Sequence, residues 1–165
     1  MAPPDPPAKP AQPSPAAGFS LNVYHIMTAL LVFFGTSHTV GGLLLAHDFG
    51  PAGNAVLASM KSVPISFGGA TCTFYDFYLG FGLDTSVFLF FSAGLTWHLS
   101  RLAPLLSSSS GRGRGNPVMQ ALKPVLWMLL VAHIANMLLS WMYFFAGPGV
   151  ISTAVVLLLL RECLR

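Results

Sequence analysis

The chain has 165 residues, of which 54% are hydrophobic and only 8% are charged, and its formal net charge at neutral pH is +3. This composition lies beyond the usual range of soluble globular domains and is typical of a membrane protein. It argues against a nucleic-acid-binding protein, because the few basic residues flank apolar stretches and form no continuous patch.

The apolar stretches predict four membrane-spanning helices, since a helix needs about 20 predominantly apolar residues to cross a bilayer. They lie at approximately residues 24–46, 71–99, 122–146 and 150–160. The fourth stretch is short unless Gly147, Pro148 and Gly149 form a tight turn at the interface, so it could be re-entrant instead of spanning. We therefore expect an all-α membrane protein in which residues 21–165 form a four-transmembrane-helix bundle.

Two segments differ in composition from the predicted bundle. Residues 1–20 are rich in proline and alanine, which predicts a disordered, partly polyproline-II tail. The stretch 107–115, between the second and third spans, is rich in serine and glycine and predicts a flexible linker.

The distribution of basic residues predicts the orientation of the bundle. With four crossings, the two termini and the linker lie on one side, and the loop between the first two spans lies on the other. That loop contains one basic residue, Lys61, whereas the opposite side contains Lys9, Arg101, Arg112, Arg114, Lys123, Arg161 and Arg165. The positive-inside rule then places both termini in the cytosol. We expect a multi-pass protein of the endoplasmic reticulum or another secretory-pathway membrane.

Four aspartate and histidine residues lie inside the predicted spans, away from the span ends. Asp84 is near the middle of the second span, where a carboxylate costs about 2.5–3.5 kcal/mol on insertion scales. Asp76 lies a little over two turns before it, and His38 and His133 are near the middle of the first and third spans. We expect these four residues to converge as the catalytic groups of one site. Two simpler interpretations remain open: Asp76 as a helix-start residue at the interface, and His38 as a packing residue.

Three further residues are candidates for substrate binding. Asn136 and Ser140 follow His133 at helical spacing, so the three share one helix face. They could instead bond neighbouring helices together. Tyr78 offers a hydroxyl near the non-cytosolic end of the second span, where it could equally belong to an aromatic belt.

The loop between the first two spans contains one more predicted element. Residues 54–63 place Val56, Leu57, Met60 and Val63 at helical spacing, with Asn54 as the N-cap. This pattern predicts a short interfacial helix that could act as a lid.

Buried carboxylates and histidines can divide acid and base roles near neutral pH. The predicted function is therefore a membrane enzyme that performs acid–base chemistry on a hydrophobic metabolite: isomerisation, cyclisation or epoxide opening. Asp84 is the expected main proton donor or acceptor. The alternative is a small proton-coupled transporter or a membrane assembly factor, because midplane aspartate and histidine also suit proton relays.

The expected partners are the lipid bilayer and a hydrophobic small molecule, and the oligomeric state stays open between a monomer and a homodimer. Two histidines with one or two carboxylates match the ligand count of a facial triad. Because no HExxH-type spacing and no third histidine support them, we expect no cofactor, and a metal held by these residues stays the alternative.

Two sequence segments carry a resemblance: Gly35-Thr-Ser-His-Thr-Val-Gly41 and Asp76-Phe-Tyr-Leu-Gly-Phe-Gly82. In these the chain resembles small four-helix integral membrane proteins of uncharacterised function that occur in bacteria and filamentous fungi. Its size and topology are also similar to those of fungal membrane anthrone oxygenases, whose motifs it does not match. The resemblance implies a place in fungal polyketide or terpenoid biosynthesis and assigns no catalytic residue.

Overall fold

The computed structural model describes residues 22–108 and 117–164. The tail predicted for residues 1–20 and most of the predicted linker 107–115 lie outside the described residues. The first two linker residues, Ser107 and Ser108, are the last two residues of a long helix.

The described chain is mostly helical. Helix α1 (Val23–Thr36) continues directly into a π-helical segment (Ser37–Leu44), and a loop leads to α2 (Gly50–Ser62). A hairpin of β1 (Pro64–Phe67) and β2 (Ala70–Thr73) precedes α3 (Phe74–Ser108), α4 (Pro117–Tyr143) and α5 (Ala146–Cys163).

Four helical stretches are long and apolar enough to cross a membrane, which suggests a multi-pass membrane protein. They are Val23–Leu44, Phe74–Leu102, Ala121–Tyr143 and Ala146–Cys163. The prediction of four long apolar helices is thus confirmed. The last one has 18 residues and begins at Ala146. Gly147, Pro148 and Gly149 therefore lie in its first turn and do not form a separate turn at the interface. Pro148 fits there because the first turn of a helix leaves its N–H groups without intrahelical partners.

The second long helix begins at Phe74, three residues later than the sequence predicted. Gly68 and Gly69 both have positive φ, 59° and 85°, as the two central residues of a tight hairpin turn require. The antiparallel strands then pair from Phe67 with Ala70 to Pro64 with Thr73. Residues 71–73 therefore belong to a strand.

The helices form two pairs with extensive contacts, α1 with α3 and α4 with α5. The contact between α1 and α5 joins the two pairs. Their shared interior is apolar. Its fully buried side chains come from all four long helices: Met27, Leu31, Leu89, Leu126, Leu130, Val155 and Leu159.

Two glycines allow the first span to lie close to α3. A Cβ atom on Gly82 would lie 2.5 Å from Leu43 Cδ2, and one on Gly35 would lie 3.1 Å from the Phe90 ring. Small residues at such positions are typical of packed membrane helices. The π-helical segment, which contains Leu43, therefore depends on the missing side chain at Gly82.

We predict that Gly82→Ala lowers the free energy of unfolding by about 1–3 kcal/mol, since an extra methyl group in a packed contact forces its neighbours to move. Gly94→Ala is the matched control, because a Cβ atom at that position meets nothing within 4 Å. The control variant should be as stable as the parent or slightly more stable. Denaturant unfolding in detergent micelles measures both, and equal losses would contradict the proposed close contact.

Candidate functional site

Two adjoining cavities lie beside the π-helical segment. The larger, which we call the histidine cavity, has a volume of about 510 Å³. Its walls come from the first span, the following loop, α3 and the junction between α4 and α5. They include Phe34, His38, Gly41, Gly42, Leu43, His47, Phe49, Tyr78, Phe144, Phe145 and Ile151.

The second cavity, which we call the α2 cavity, has a volume of about 400 Å³. One wall is α2, which contributes Val56, Leu57, Met60 and Lys61. The two cavities share Gly42, Leu43, His47, Phe49 and Tyr78. The helix predicted in this loop is thus present and covers one end of the cavity region, although it begins at Gly50 and not at residue 54.

One ring nitrogen of His38 bonds to the backbone, and the other makes no hydrogen bond within the part of the chain that the structure describes. Its Nε2 atom lies 3.0 Å from the carbonyl oxygen of Gly82. A carbonyl oxygen can only accept a hydrogen bond, so Nε2 carries the proton. In the neutral ring, Nδ1 then holds a lone pair. A Cβ atom on Gly42 would have Nδ1 as its nearest neighbour, at 3.9 Å, so this lone pair lies beside a residue that lines both cavities.

His47 repeats this arrangement in the same cavity. Its Nε2 atom donates to the carbonyl oxygen of Gly41, and its ring lies edge-on to Phe49 with 5.7 Å between centroids. The hydropathy pattern does not single out His47, because this residue follows the first apolar stretch and lies in a loop. His47 follows the Gly41-Gly42 pair by five residues. Because glycines allow a chain to turn back on itself, this spacing could have indicated that His47 contacts the end of the first helix.

Tyr78 is the candidate substrate-binding residue that lines the cavities, and it lies on both. Its ring is 6.1 Å from that of Tyr75. Lys61 of α2 places its ammonium group 4.7 Å from the centre of the Tyr75 ring, a cation–π contact. This contact joins α2 to α3 at the wall of the α2 cavity.

A carboxylate anchors the start of α2. Asp48 accepts hydrogen bonds from the Asn54 amide at 2.8 Å and from the Gly50 N–H at 2.9 Å. These bonds hold the pKa of Asp48 below its ordinary value. The prediction of Asn54 as the N-cap is wrong: Asn54 lies inside α2 and reaches back to accept from the N–H of Phe49, the N-cap residue.

Asp76 forms the N-terminal cap of α3 with Thr73. Its carboxylate accepts from the Thr73 N–H at 2.7 Å and from the Thr73 hydroxyl at 2.8 Å, while its own N–H donates to that hydroxyl oxygen. This reciprocal pair is a capping box, and it satisfies two N–H groups that the helix start leaves free. The helix-start interpretation therefore accounts for Asp76.

Asp84 lies on the outer surface of the bundle. It is exposed and lines a shallow groove together with Cys72, Asp76, Phe77, Gly80 and Phe81. It follows Gly82, which contacts the first span, by two residues. That separation is about 200° around a helix, so its side chain leaves the opposite face.

His133 lies in the core, 1% exposed, with its ring centroid 5.1 Å from that of Phe88. Its Nε2 atom has no hydrogen-bond partner among the described residues. Within that part of the chain, no hydrogen bond or ion pair joins Asp84 to either His38 or His133. The four expected catalytic residues thus do not meet in one site of a single chain: His38 lines the cavity, and the others lie elsewhere.

Asn136 and Ser140 connect α4 to α5. The Asn136 amide donates to the Ser152 hydroxyl at 3.2 Å, and the Ser140 and Ser152 hydroxyl oxygens are 3.3 Å apart. Ser152 in turn donates to the Pro148 carbonyl at 2.8 Å. This geometry corresponds to the interhelical alternative, and neither residue lines the two cavities.

The described residues contain no group of three or more histidine, cysteine, aspartate or glutamate residues that could hold a metal ion. Cys72 and Cys163 are both free thiols.

No protein-family model, curated protein or solved structure matches this chain.

We predict that the neutral His38 ring is the Nε2–H tautomer, because only that tautomer can donate to the Gly82 carbonyl. Nitrogen-15 NMR of the histidine-labelled protein distinguishes the two ring nitrogens by chemical shift, and His38→Gln assigns the signal. A signal from protonated Nδ1 with bare Nε2 would contradict the bond to the Gly82 carbonyl.

Proposed function

We propose that this protein is a membrane-embedded enzyme that performs acid–base chemistry on a hydrophobic small molecule in the histidine cavity. One observation carries the proposal: an apolar cavity of about 510 Å³ contains two histidines whose Nε2 atoms bond to backbone carbonyls. Each neutral ring then has a free Nδ1 lone pair.

The walls of the cavity favour a hydrophobic ligand. Small-molecule sites typically have volumes of about 300–1,000 Å³, apolar walls and a few polar groups that orient the ligand. Phe34, Phe49, Phe144 and Phe145 supply aromatic surface here, and His38, His47 and Tyr78 supply the polar groups. A ligand of this kind could arrive through the surrounding lipid.

The proposed reaction is an isomerisation or cyclisation, which requires no co-reactant. The unprotonated Nδ1 of His38 would take a proton from a carbon next to a carbonyl group, and the Tyr78 hydroxyl would stabilise the developing oxyanion. The imidazolium would then return the proton to a different atom of the same molecule. The Gly82 carbonyl orients the ring and stabilises its charged form, as a backbone acceptor does for catalytic histidines in general.

This assignment transfers the main acid–base role from Asp84 to His38. Asp84 is outside the cavity, so it does not supply the proton in the proposed reaction. A metabolic role in polyketide or terpenoid modification remains the proposed context, because those pathways use apolar carbonyl compounds.

We further propose that four helices cross the membrane with both termini in the cytosol, in the endoplasmic reticulum or another secretory-pathway membrane. The support is the seven-to-one distribution of basic residues and the four helices of sufficient length. The cavities, beside α2, then lie toward the non-cytosolic surface.

The topology predicts one-sided labelling of α2. Ser59 is exposed on this helix, so Ser59→Cys, in a chain with Cys72→Ser and Cys163→Ala, should react with a membrane-impermeant maleimide. In sealed microsomes the label should enter only after the membrane is permeabilised. Labelling of intact microsomes would contradict this orientation.

We predict that His38→Gln lowers turnover by about 10²–10⁴-fold, the usual contribution of a general acid or base. Glutamine keeps a hydrogen-bond donor for the Gly82 carbonyl but cannot exchange a proton. In cells of the source organism that carry this variant, the organic extract should accumulate a compound and lose its isomer of equal mass. Chromatography coupled to mass spectrometry measures both.

Asp84→Asn is the comparison variant and should leave this isomer pair unchanged. If His38→Gln has no effect while Asp84→Asn abolishes the conversion, the assignment to His38 is wrong. If neither variant changes any metabolite, proton-driven uptake in proteoliposomes tests the transporter alternative.

A further inference from the structure

Lys61 brings a positive charge to the cavity region. It lines the α2 cavity, near the end of α2. Among the described residues it is the only lysine or arginine in the walls of the α2 cavity and the histidine cavity, and no aspartate or glutamate lines either of them. Within that part of the chain Lys61 makes no ion pair. Its charge is therefore not balanced by the walls of the cavities.

The contacts of Lys61 leave its ammonium group able to bind an anion. Asp48 shares a third, more open pocket with Lys61, but its carboxylate accepts hydrogen bonds from Asn54 and Gly50. The ammonium group lies instead 4.7 Å from the centre of the Tyr75 ring. An aromatic face attracts a cation without neutralising its charge, so this contact positions the ammonium group and does not replace a counter-ion.

Two tyrosine hydroxyls add hydrogen-bond donors to the same cavity. Tyr75 and Tyr78 both line the α2 cavity, and in the described part of the chain their hydroxyls make no hydrogen bond. Each hydroxyl can donate one hydrogen bond. The cavity thus offers a ligand an ammonium group and two hydroxyl donors, and no carboxylate of its walls would repel an anion. This combination favours a ligand with a negatively charged acceptor group.

The remainder of the cavity region favours an apolar body behind that charged group. Leu43, Leu57 and Met60 supply apolar walls beside Lys61. Leu43 and Tyr78 also line the histidine cavity, so a molecule bound at Lys61 could extend past them toward His38. Lys61 is exposed, whereas His38 lies within the first span. The charged end of such a molecule would therefore lie at the protein surface and its apolar body inside the bundle.

We propose that the substrate of the histidine cavity is an amphipathic oxo acid, a molecule with a carboxylate at one end and a ketone within an apolar body. Lys61 and Tyr75 bind the carboxylate, and the ketone lies at Tyr78 and His38. The inference rests on the proposed function, because the ketone activates the neighbouring carbon whose proton His38 takes.

The charge of the site selects a carboxylate over a phosphate monoester. An ionised carboxylate has a charge of −1, which one ammonium group balances. A phosphate monoester has a charge of about −1.5 to −2 at neutral pH and would need a second cation. Among the described residues, no second lysine or arginine lines the two cavities.

Photolabelling measures the preference for a carboxylate without requiring turnover. The full-length protein is reconstituted in phosphatidylcholine vesicles, which have no net charge, at a mildly alkaline pH that ionises the acid. The two probes are palmitic acid and hexadecanol, each with the same diazirine in its chain. The acid should label the protein about tenfold more than the alcohol, since a hydrogen bond to a charged group contributes about this factor. The label should lie in the stretches 34–49 or 144–151, which line the histidine cavity.

Variants identify the group that selects the acid. Lys61→Gln should lower labelling by the acid to the level of the alcohol, because glutamine has no charge. Labelling by the alcohol should stay the same, which shows that the cavity is intact. Lys61→Arg should retain the preference for the acid. Lys123→Gln is the matched control, because it removes the charge of an exposed lysine on α4 that lines neither cavity.

Three results would overturn the inference: equal labelling by acid and alcohol, a preference for the acid that survives Lys61→Gln, or displacement of the acid by phosphatidylglycerol as effectively as by unlabelled palmitic acid. The first would make Lys61 a solvated surface charge only, and the third would make the site a place for a lipid headgroup. Absence of any label in the cavity would overturn it as well, because a single-chain molecule then does not enter.

The reaction proposed for His38 can fail separately. The isomer pair that depends on His38 should form methyl esters with a carboxyl-specific reagent and oximes with hydroxylamine, as oxo acids do. If the pair exists but forms neither product, the reaction stands and the substrate class is wrong. If Lys61 selects the acid but no isomer pair exists, the reaction is wrong and the acid is a bound ligand, not a substrate.

Discussion

Because Gly82 has no side chain, the π-helical segment lies directly against α3. Because the two helices are close, the His38 ring reaches the backbone carbonyl of Gly82 on α3. A larger side chain at position 82 would keep the ring away from this carbonyl. The bond fixes the ring orientation and the protonated nitrogen, and it leaves Nδ1 beside Gly42 and the cavities. The absence of a side chain at Gly82 thus permits both the helix contact and the hydrogen bond that orients the His38 ring.

The geometry of the π-helical segment contributes to its close contact with Gly82. A run of eight residues with the wide π geometry is unusual, and such geometry occurs most often at functional sites. Here it contains His38, Gly41 and Gly42, and the Leu45 N–H closes it on the Val40 carbonyl, five residues back. The wider turn shifts the following residues around the helix axis and brings Leu43 against Gly82. The segment therefore gives up regular α-helical bonding at the place where the cavity is formed.

The sequence predicts the parts of this fold that depend on local hydropathy. Four long apolar stretches were sufficient to locate four helices, and the pattern Val56-Leu57-Met60 was sufficient to place a helix in the loop. The hairpin was missed although Gly68-Gly69 is a strong turn signal, because the apolar residues that follow merge with the next span. Local pattern alone does not separate a short strand from the start of a long helix.

The orientation of the polar side chains could not be predicted in the same way. The spacing of four residues places Asp76, Gly80 and Asp84 on one face of the helix. It does not show whether that face is directed toward the other helices of the bundle or away from them. Lipid is as apolar as the core, so hydropathy does not distinguish the inner from the outer face. The contacts of the glycines do distinguish them: Gly82 and Gly35 mark the inner face, and Gly80 and Gly94 mark an outer one.

The two faces of α3 thus separate the groups that one carboxyl-and-histidine site would have combined. On the inner face, the Gly82 carbonyl orients His38 beside the histidine cavity. On the outer face, Asp84 is exposed and makes no hydrogen bond or ion pair within the described residues. Because the faces are about 200° apart on one helix, a substitution at Asp84 leaves the walls of the cavity in place.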